Sequence, residues 1–430
     1  MSATSDLLDF AAADHMLPEA VRGDALRLLA DTLAVGAAGS TAPGAAGVYA
    51  AAAGWGSGNE ARLLGRNERL PAPSAAYVNA FQIHCLEWDA VHEGAVVHAL
   101  SVVTAALHAA IDRRGGCDAE DALTALAVGV DIASGLGIAA DSALSFFRPA
   151  TAGLIGAALA VARIEGLNRA QFADVLGLAY SHCAGTMQAH VEGSIALPLQ
   201  IANAARAAIQ VVDLVKNGLT GPHDALEGPF GYFKLIDQGD LSRYTESVGQ
   251  IWRISEVSTK PYPCGRASHG LLATLDEVRT SSDAISQITA HVSPLVVRLI
   301  DRPISDNMSP AYARLCLPFL TALMLRDGRI DPKRFDAASF TDPVIRECAA
   351  MLRIQVDDNP DLNALSPQRL EIIYTDGRRV LIEIPDILGS PNAALSAHQI
   401  VAKRDLCEVL TAHIDRRLFN DPLGYFTEPQ

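Results

Sequence analysis

Between Ala76 and Ala110 the chain reads AYVNAFQIHCLEWDAVHEGAVVHALSVVTAALHAA. His84, Glu87, Asp89, His92, Glu93 and His98 crowd around Gly94, and His108 and Asp112 follow. Imidazoles beside carboxylates move protons near neutral pH: the ring takes or gives the proton, and the carboxylate orients the ring. His98 is the first candidate for base or acid, with His92 and His269 behind it. Asp89 is suited to orient a histidine or to hold a substrate hydroxyl, and Glu87 is a further polar contact beside it. His98 also stands at the head of a nearly uncharged run, Ala95 to Ile111. A helix starting there presents free N–H groups and a partial positive charge to an anion.

The chemistry these residues suit is that of a carbon acid. A carbon next to a carboxylate loses a proton or CO2, and the charge that builds on the carboxylate needs cations. Lys260, Arg148 and Arg266 are the candidate clamps. Arg266 and His269 lie three residues apart and share a face if a helix has begun by then. Cys264 has no identifiable partner and reads as a packed thiol. His84, Glu87 and His92 lack the HExxH spacing that puts two ligands on one helical face, so no metal is expected. No GxGxxG follows a strand and no Walker loop is present, so no nucleotide cofactor is expected either.

Three readings follow from this inventory. One is a cofactor-independent lyase that removes water from a small hydroxy di- or tricarboxylate. Another is an epimerase, with His98 and Lys260 on opposite faces of one carbon. The third is a protein that binds a carboxylate without turning it over.

The elements that must position these groups are mostly helices. Helical spacing covers 4–16, the stretch from Pro18 to about Gly39, the run after His98, about 119–140, the Gly/Ala-rich segment after Arg148, and Ala196 to Asn217. Around residue 255 the texture changes. Ile288, Ala290 and Val292 alternate as a strand does, and Ile354 to Val356 suggest another. RLEIIYTDGRRVLIEI reads as a hairpin turning at Asp376-Gly377. Ala311 to Arg326 and Ser396 to about Phe419 read as helices. The expected fold is therefore mainly α. A large all-helical domain, 1–255, is completed by 396–430, and a smaller α+β domain, 256–395, is inserted between.

Composition narrows the class further. Half of the 430 residues are hydrophobic and only 6% aromatic, which favours closely packed helices over a β-sandwich. A net charge of −15 argues against nucleic acid and anionic membranes as partners, while leaving room for a local anion site. The first ten residues show no signal-peptide pattern, and the run from Ala95 to Ile111 is too short to span a membrane. Seven scattered cysteines without a CxxC pair read as reduced thiols of a cytoplasmic protein.

Over nearly its whole length the chain resembles the MmgE/PrpD family, which includes 2-methylcitrate dehydratases, cis-aconitate decarboxylases and iminodisuccinate epimerases. The resemblance rests on Asn79 with His84-x-x-Glu87-x-Asp89, on His98, and on the glycine–alanine helix from Thr151 to Ile164. It continues through Gly218-Leu219-Thr220-Gly221-Pro222, Leu226-Glu227-Gly228, Lys260-Pro261-Tyr262-Pro263-Cys264 and His269. It implies a helical domain with a smaller lid, a homodimer, a site between the domains, and a small anionic carboxylate substrate handled without metal or organic cofactor. Against the decarboxylases of that family, Arg148 stands for a histidine, Leu197-Pro198 for a lysine, Gly265 for a histidine and Phe319 for a tyrosine. Those departures argue against unaltered cis-aconitate decarboxylation or methylcitrate dehydration.

Overall fold

A computed structural model describes residues 2–279, 284–361 and 364–429. It is mainly α, with small sheets. The principal helices of the first part are α1 (Glu19–Ala38), α2 (Ala72–His84), α3 (Ala99–Arg114), α4 (Ala119–Ala139), α5 (Arg148–Ile164), the short α6 (Gln188–Glu192) and α7 (Ala196–Lys216). Their ends follow local chemistry. Asp118 caps α4 by accepting from the N–H groups of Glu120 and Asp121. Gly115, at φ 81°, ends α3 after two arginines.

Small residues let these helices approach closely. A Cβ placed on Gly156 of α5 would sit 2.3 Å from the carbonyl oxygen of Gly129 on α4. Helix α5 also packs on α3, and α7 packs on both α2 and α5. The two helices that carry the histidine-rich loop are thereby clamped from behind. Helix α4 is long and apolar enough to cross a membrane, yet 94% of its apolar window is buried inside the protein. Its Asp131 accepts from Tyr244 Oη at 2.7 Å.

The second part is built on a four-stranded sheet. Its strands are β3 (Ile285–Val292), β4 (Leu352–Val356), β5 (Gln368–Tyr374) and β6 (Arg379–Ile384), counting β1 and β2 as the short pair described below. The order is β4-β3-β5-β6, with β3/β4 parallel and the other pairs antiparallel. Gly377, at φ 86°, supplies the β5–β6 turn. Helices α8 (His269–Val278) and α9 (Leu317–Asp327) belong to the same hydrophobic core.

Two expected helices are broken. Ala311 to Arg326 divides into Pro310–Ala313 and α9, because Pro318 sits in the first turn of a new helix. The last helix, α10 (Ala397–Leu410), stops before Asp415, which caps a separate helix from Arg416 to Asn420.

The described residues form two apolar cores. One gathers residues from Leu7 to Val257 and adds Cys407, Leu410, Leu418 and Phe426 from the chain's end. The other gathers residues from Cys264 to Ile387. Packing of α10 against α1 is what returns the end of the chain to the first core.

Candidate active site

The loop from Cys85 to His98 lies where the two cores meet. Strand β1 (Val91–His92) in that loop pairs antiparallel with β2 (Val257–Ser258), two residues before Lys260. Trp88 Nε1 donates to the Pro261 carbonyl at 3.1 Å, and Lys403 Nζ donates to the Trp88 carbonyl at 3.1 Å. The loop is thus pinned from three directions. It also holds strain. Glu87 and Val96 both have φ 53°, a left-handed conformation that non-glycine and especially β-branched residues avoid. Such strain persists only where the surroundings enforce it, and it gathers at functional sites.

Asp89 is fully buried and is the hub. Its Oδ2 accepts from His84 Nδ1 at 2.9 Å, from His98 Nδ1 at 3.0 Å, and from Ser101 Oγ. The anion that sits beside the start of α3 is therefore the chain's own carboxylate. With both Nδ1 protons given to Asp89, each ring keeps Nε2 for other work. His98 lines the cavity, while His84 Nε2 lies 3.5 Å from Glu87 Oε1. The two rings meet edge to face, with centroids 4.9 Å apart.

The electrostatics separate the two imidazoles. Burial pulls the His98 pKa below its usual 6.5, more strongly than Asp89 raises it. Burial acts on His84 as well, but there Asp89 and Glu87 together outweigh it and lift the pKa above 6.5. Burial pushes the Glu87 carboxyl up, yet Lys260, His84 and His98 bring it down to about 2. Asp89 is likewise held well below the usual range, against burial, by the two histidines. The result is an ionised Asp89 beside a His98 that is neutral at pH 7, which is the state of a base.

Over this group lies a cavity of 80 Å³. The first part contributes His84, Glu87, His98 and Phe147, and the second contributes Leu299 and Leu315. A larger cavity, 350 Å³, opens elsewhere, beside Arg27, Asp31, Thr259 and Lys403. Its Asp31 and Lys403 are paired at 2.7 Å, and among the described residues no histidine lines it.

The residues expected from the sequence divide into three groups. Glu87 and His98 line the cavity, fully buried Asp89 stands behind the His98 ring, and Lys260 joins them away from the cavity. Lys260 Nζ donates to Glu87 Oε2 at 3.2 Å and to the Glu87 carbonyl at 3.0 Å, and it stands 3.9 Å from Asp89 Oδ1. Arg266 reaches the cavity wall, but its guanidinium is committed to Glu93, at 2.7 Å, and to the carbonyls of Ile387 and Leu388. Three assignments are corrected. Arg148 is no clamp: fully buried, it pairs with Asp237 at 2.9 Å and donates to the Ala95 carbonyl. His92 is no acid or base for the cavity, because Nε2 meets Glu256 at 2.9 Å and Nδ1 accepts from the Ala95 N–H. His269 is sealed in the second part, where Nε2 donates to the Cys264 carbonyl at 3.1 Å.

Three residues carry a part here that the sequence did not assign them. His84 is the last residue of α2, five before Asp89, and stood in plain view among the loop histidines. Ser101 lies one turn into α3, where a hydroxyl next to His98 was the available signal. His190, on α6, lines the far wall, and nothing in its spacing marks it. His84, Asp89 and His98 also offer three donor atoms within 4.8 Å, a grouping that can hold a metal ion. Both Nδ1 atoms hydrogen-bond Asp89 here, and the Lys260 ammonium beside Asp89 opposes a divalent cation. The arrangement suits proton transfer better.

Breaking the Arg148–Asp237 pair tests its structural role. Arg148→Met is expected to lower stability by about 3–5 kcal/mol, because a buried carboxylate is left unpaired. Urea unfolding measures this, and adding Asp237→Leu should restore most of the loss.

The sequence of the MmgE/PrpD N-terminal domain matches residues 9–244, and that of the C-terminal domain matches residues 262–417. The chain belongs to the MmgE/PrpD family. Relatives within it include the cis-aconitate decarboxylase of Homo sapiens, 28% identical over 69% of this chain and 64% of that protein. That of Mus musculus is 26% identical over 72% and 64%. That of Aspergillus terreus (strain NIH 2624 / FGSC A1156) is 25% identical over 76% and 73%. The chain thus aligns with somewhat less than two thirds of the human and mouse proteins.

Proposed function

We propose that this MmgE/PrpD chain is a lyase in which neutral His98 removes the proton from a carbon beside a substrate carboxylate. The observation that carries the reading is the Asp89–His98 pair set beside the cavity, with the His98 ring in its lining. Asp89 fixes the ring with Nδ1–H toward itself, so Nε2 presents its lone pair to the substrate. In a hydro-lyase turnover the C–H electrons form the new double bond. The hydroxyl on the neighbouring carbon leaves with the abstracted proton as water, and His98 returns to its neutral state. Asp89 stabilises the imidazolium in between.

The relatives' names favour a second reading, loss of CO2 followed by protonation of the carbon. That order needs an acid, and His84, with its raised pKa, stands against the His98 ring. An epimerase needs a second base, and Lys260 is salt-bridged to Glu87 instead. On this proposal the smaller part serves as a lid over the helical part, and the chain works as a cytoplasmic homodimer.

The two lyase readings differ in their pH dependence. If His98 acts as base, kcat/KM stays on a plateau at neutral pH. It falls as pH drops through a value below 6.5, since the folded pKa is lowered and only the neutral ring accepts a proton. If His84 acts as acid, the rate falls as pH rises through a value above 6.5. A kcat/KM profile from pH 5 to 9 reads the difference.

A further inference from the structure

The cavity is small and nearly all its charges are already matched. Among the described residues, its lining carries no polar side chain apart from His84, Glu87, His98, His190 and Arg266, and Phe147, Met187, Leu197 and Ile300 are among the apolar walls. Lys260 is balanced by Glu87 and Arg266 by Glu93. Two further cations lie behind the wall, Arg302 and Arg314, which are 7% and 3% exposed. Among the described residues neither has a carboxylate within 4 Å, and Arg302 Nη1 and Arg314 Nε donate to nothing. Both lie in the field of Glu87. Set against Asp89, they leave the site with one net positive charge. Protonating His84 would add one more.

Arg302 delivers its charge through His190. Its Nη2 donates to His190 Nδ1 at 3.1 Å and to the His190 carbonyl at 2.6 Å. A guanidinium can only donate, so His190 Nδ1 is an acceptor and the ring's proton is on Nε2. The nitrogen left for the cavity is therefore an N–H donor.

We propose that this site takes a small monocarboxylate with a hydrocarbon remainder, its carboxylate held by the His190 Nε2–H that Arg302 backs. The assignment deepens the lyase reading above and rests on it for the identity of the site. cis-Aconitate brings three negative charges to a pocket with a surplus of one, and twelve heavy atoms to a cavity of 80 Å³ where crotonate brings six. Unpaired charge in such a low-dielectric pocket is costly. One carboxylate against His190, with its neighbouring carbon toward His98 and its chain among Phe147, Leu197 and Ile300, uses what the cavity offers.

Calorimetric titration of the full chain carrying His98→Asn, with crotonate and cis-aconitate as probes at pH 7, is the test. Crotonate is expected to bind at least tenfold more tightly than cis-aconitate. Adding His190→Leu should weaken crotonate at least tenfold, and His190→Gln, which keeps an N–H donor, should recover most of that. Equal or tighter binding of cis-aconitate, or binding of neither probe by folded protein, overturns the proposal. Unchanged crotonate affinity in His190→Leu overturns the part given to His190. If His190→Leu fails to fold, the contrast between the probes still decides the substrate class. Turnover of cis-aconitate by the unmutated chain would leave the lyase reading standing and the monocarboxylate class refuted. Tight crotonate binding, with no deuterium exchange on any hydroxy acid of the same size, would do the reverse.

Discussion

His98→Asn is expected to lower kcat by about 10²–10⁴-fold, the range a positioned general base supplies. The substitution can keep an N–H for Asp89 in place of Nδ1–H but removes the lone pair at Nε2. The fold should survive it, because His98 is a partly exposed residue at the head of α3, and Asp89 keeps its bonds from His84 and Ser101. Substrate affinity should change little, since the carboxylate is held elsewhere. A kcat loss with KM nearly constant is the signature of an interaction made in the transition state. Unchanged kcat would remove His98 from the mechanism.

The second large effect is on stability. Lys260→Met is expected to destabilise the protein by about 3–5 kcal/mol, because it strands the buried carboxylate of Glu87. The sign follows from the Glu87 pKa, about 2 in the fold against an ordinary 4.5. A lowered folded pKa contributes stability above 4.5 that is lost as pH falls toward 2. Removing the lysine removes a principal cause of that lowering, so the variant should lose stability most at neutral pH and least in acid. Urea unfolding at pH 7 and pH 4 measures both. Adding Glu87→Gln to Lys260→Met should recover much of the loss. Equal stability of Lys260→Met and the parent chain at pH 7 would show that the pair contributes nothing.

The part of the site that was legible in the sequence is the part that is local. His84, Glu87, Asp89 and His98 fall within one helix–loop–helix, so their crowding was visible as a departure from an ordinary solvated helix face. The helices that hold them were legible from their period and their glycine and cap residues. What failed depended on partners distant in sequence. Arg148 finds Asp237 89 positions away, and His92 finds Glu256 164 positions away. Each looked available because its counter-ion could not be seen. His190 was missed for the complementary reason: its value comes from Arg302, 112 residues later. Helix breaks were hidden where apolar spacing continued across them, as at Arg314–Cys316, where Pro318 restarts the helix in register with the same core.

The charge pattern explains the broader outcome. An acidic chain of net charge −15 gathers four of its buried cations, Lys260, Arg266, Arg302 and Arg314, about the cavity. Composition averages this away, and only the fold assembles it.

The measurement that bears most directly on the central claim is proton NMR in D2O on the unmutated chain and His98→Asn, with short-chain 2-enoic and 3-hydroxy acids as substrates. The unmutated chain is expected to interconvert a hydroxy acid and its unsaturated partner. Deuterium should enter only at the carbon next to the carboxylate, and His98→Asn should slow that exchange by at least about 10²-fold. Turnover without deuterium at that carbon, or equal exchange in the two proteins, would contradict the assignment of His98 as the base.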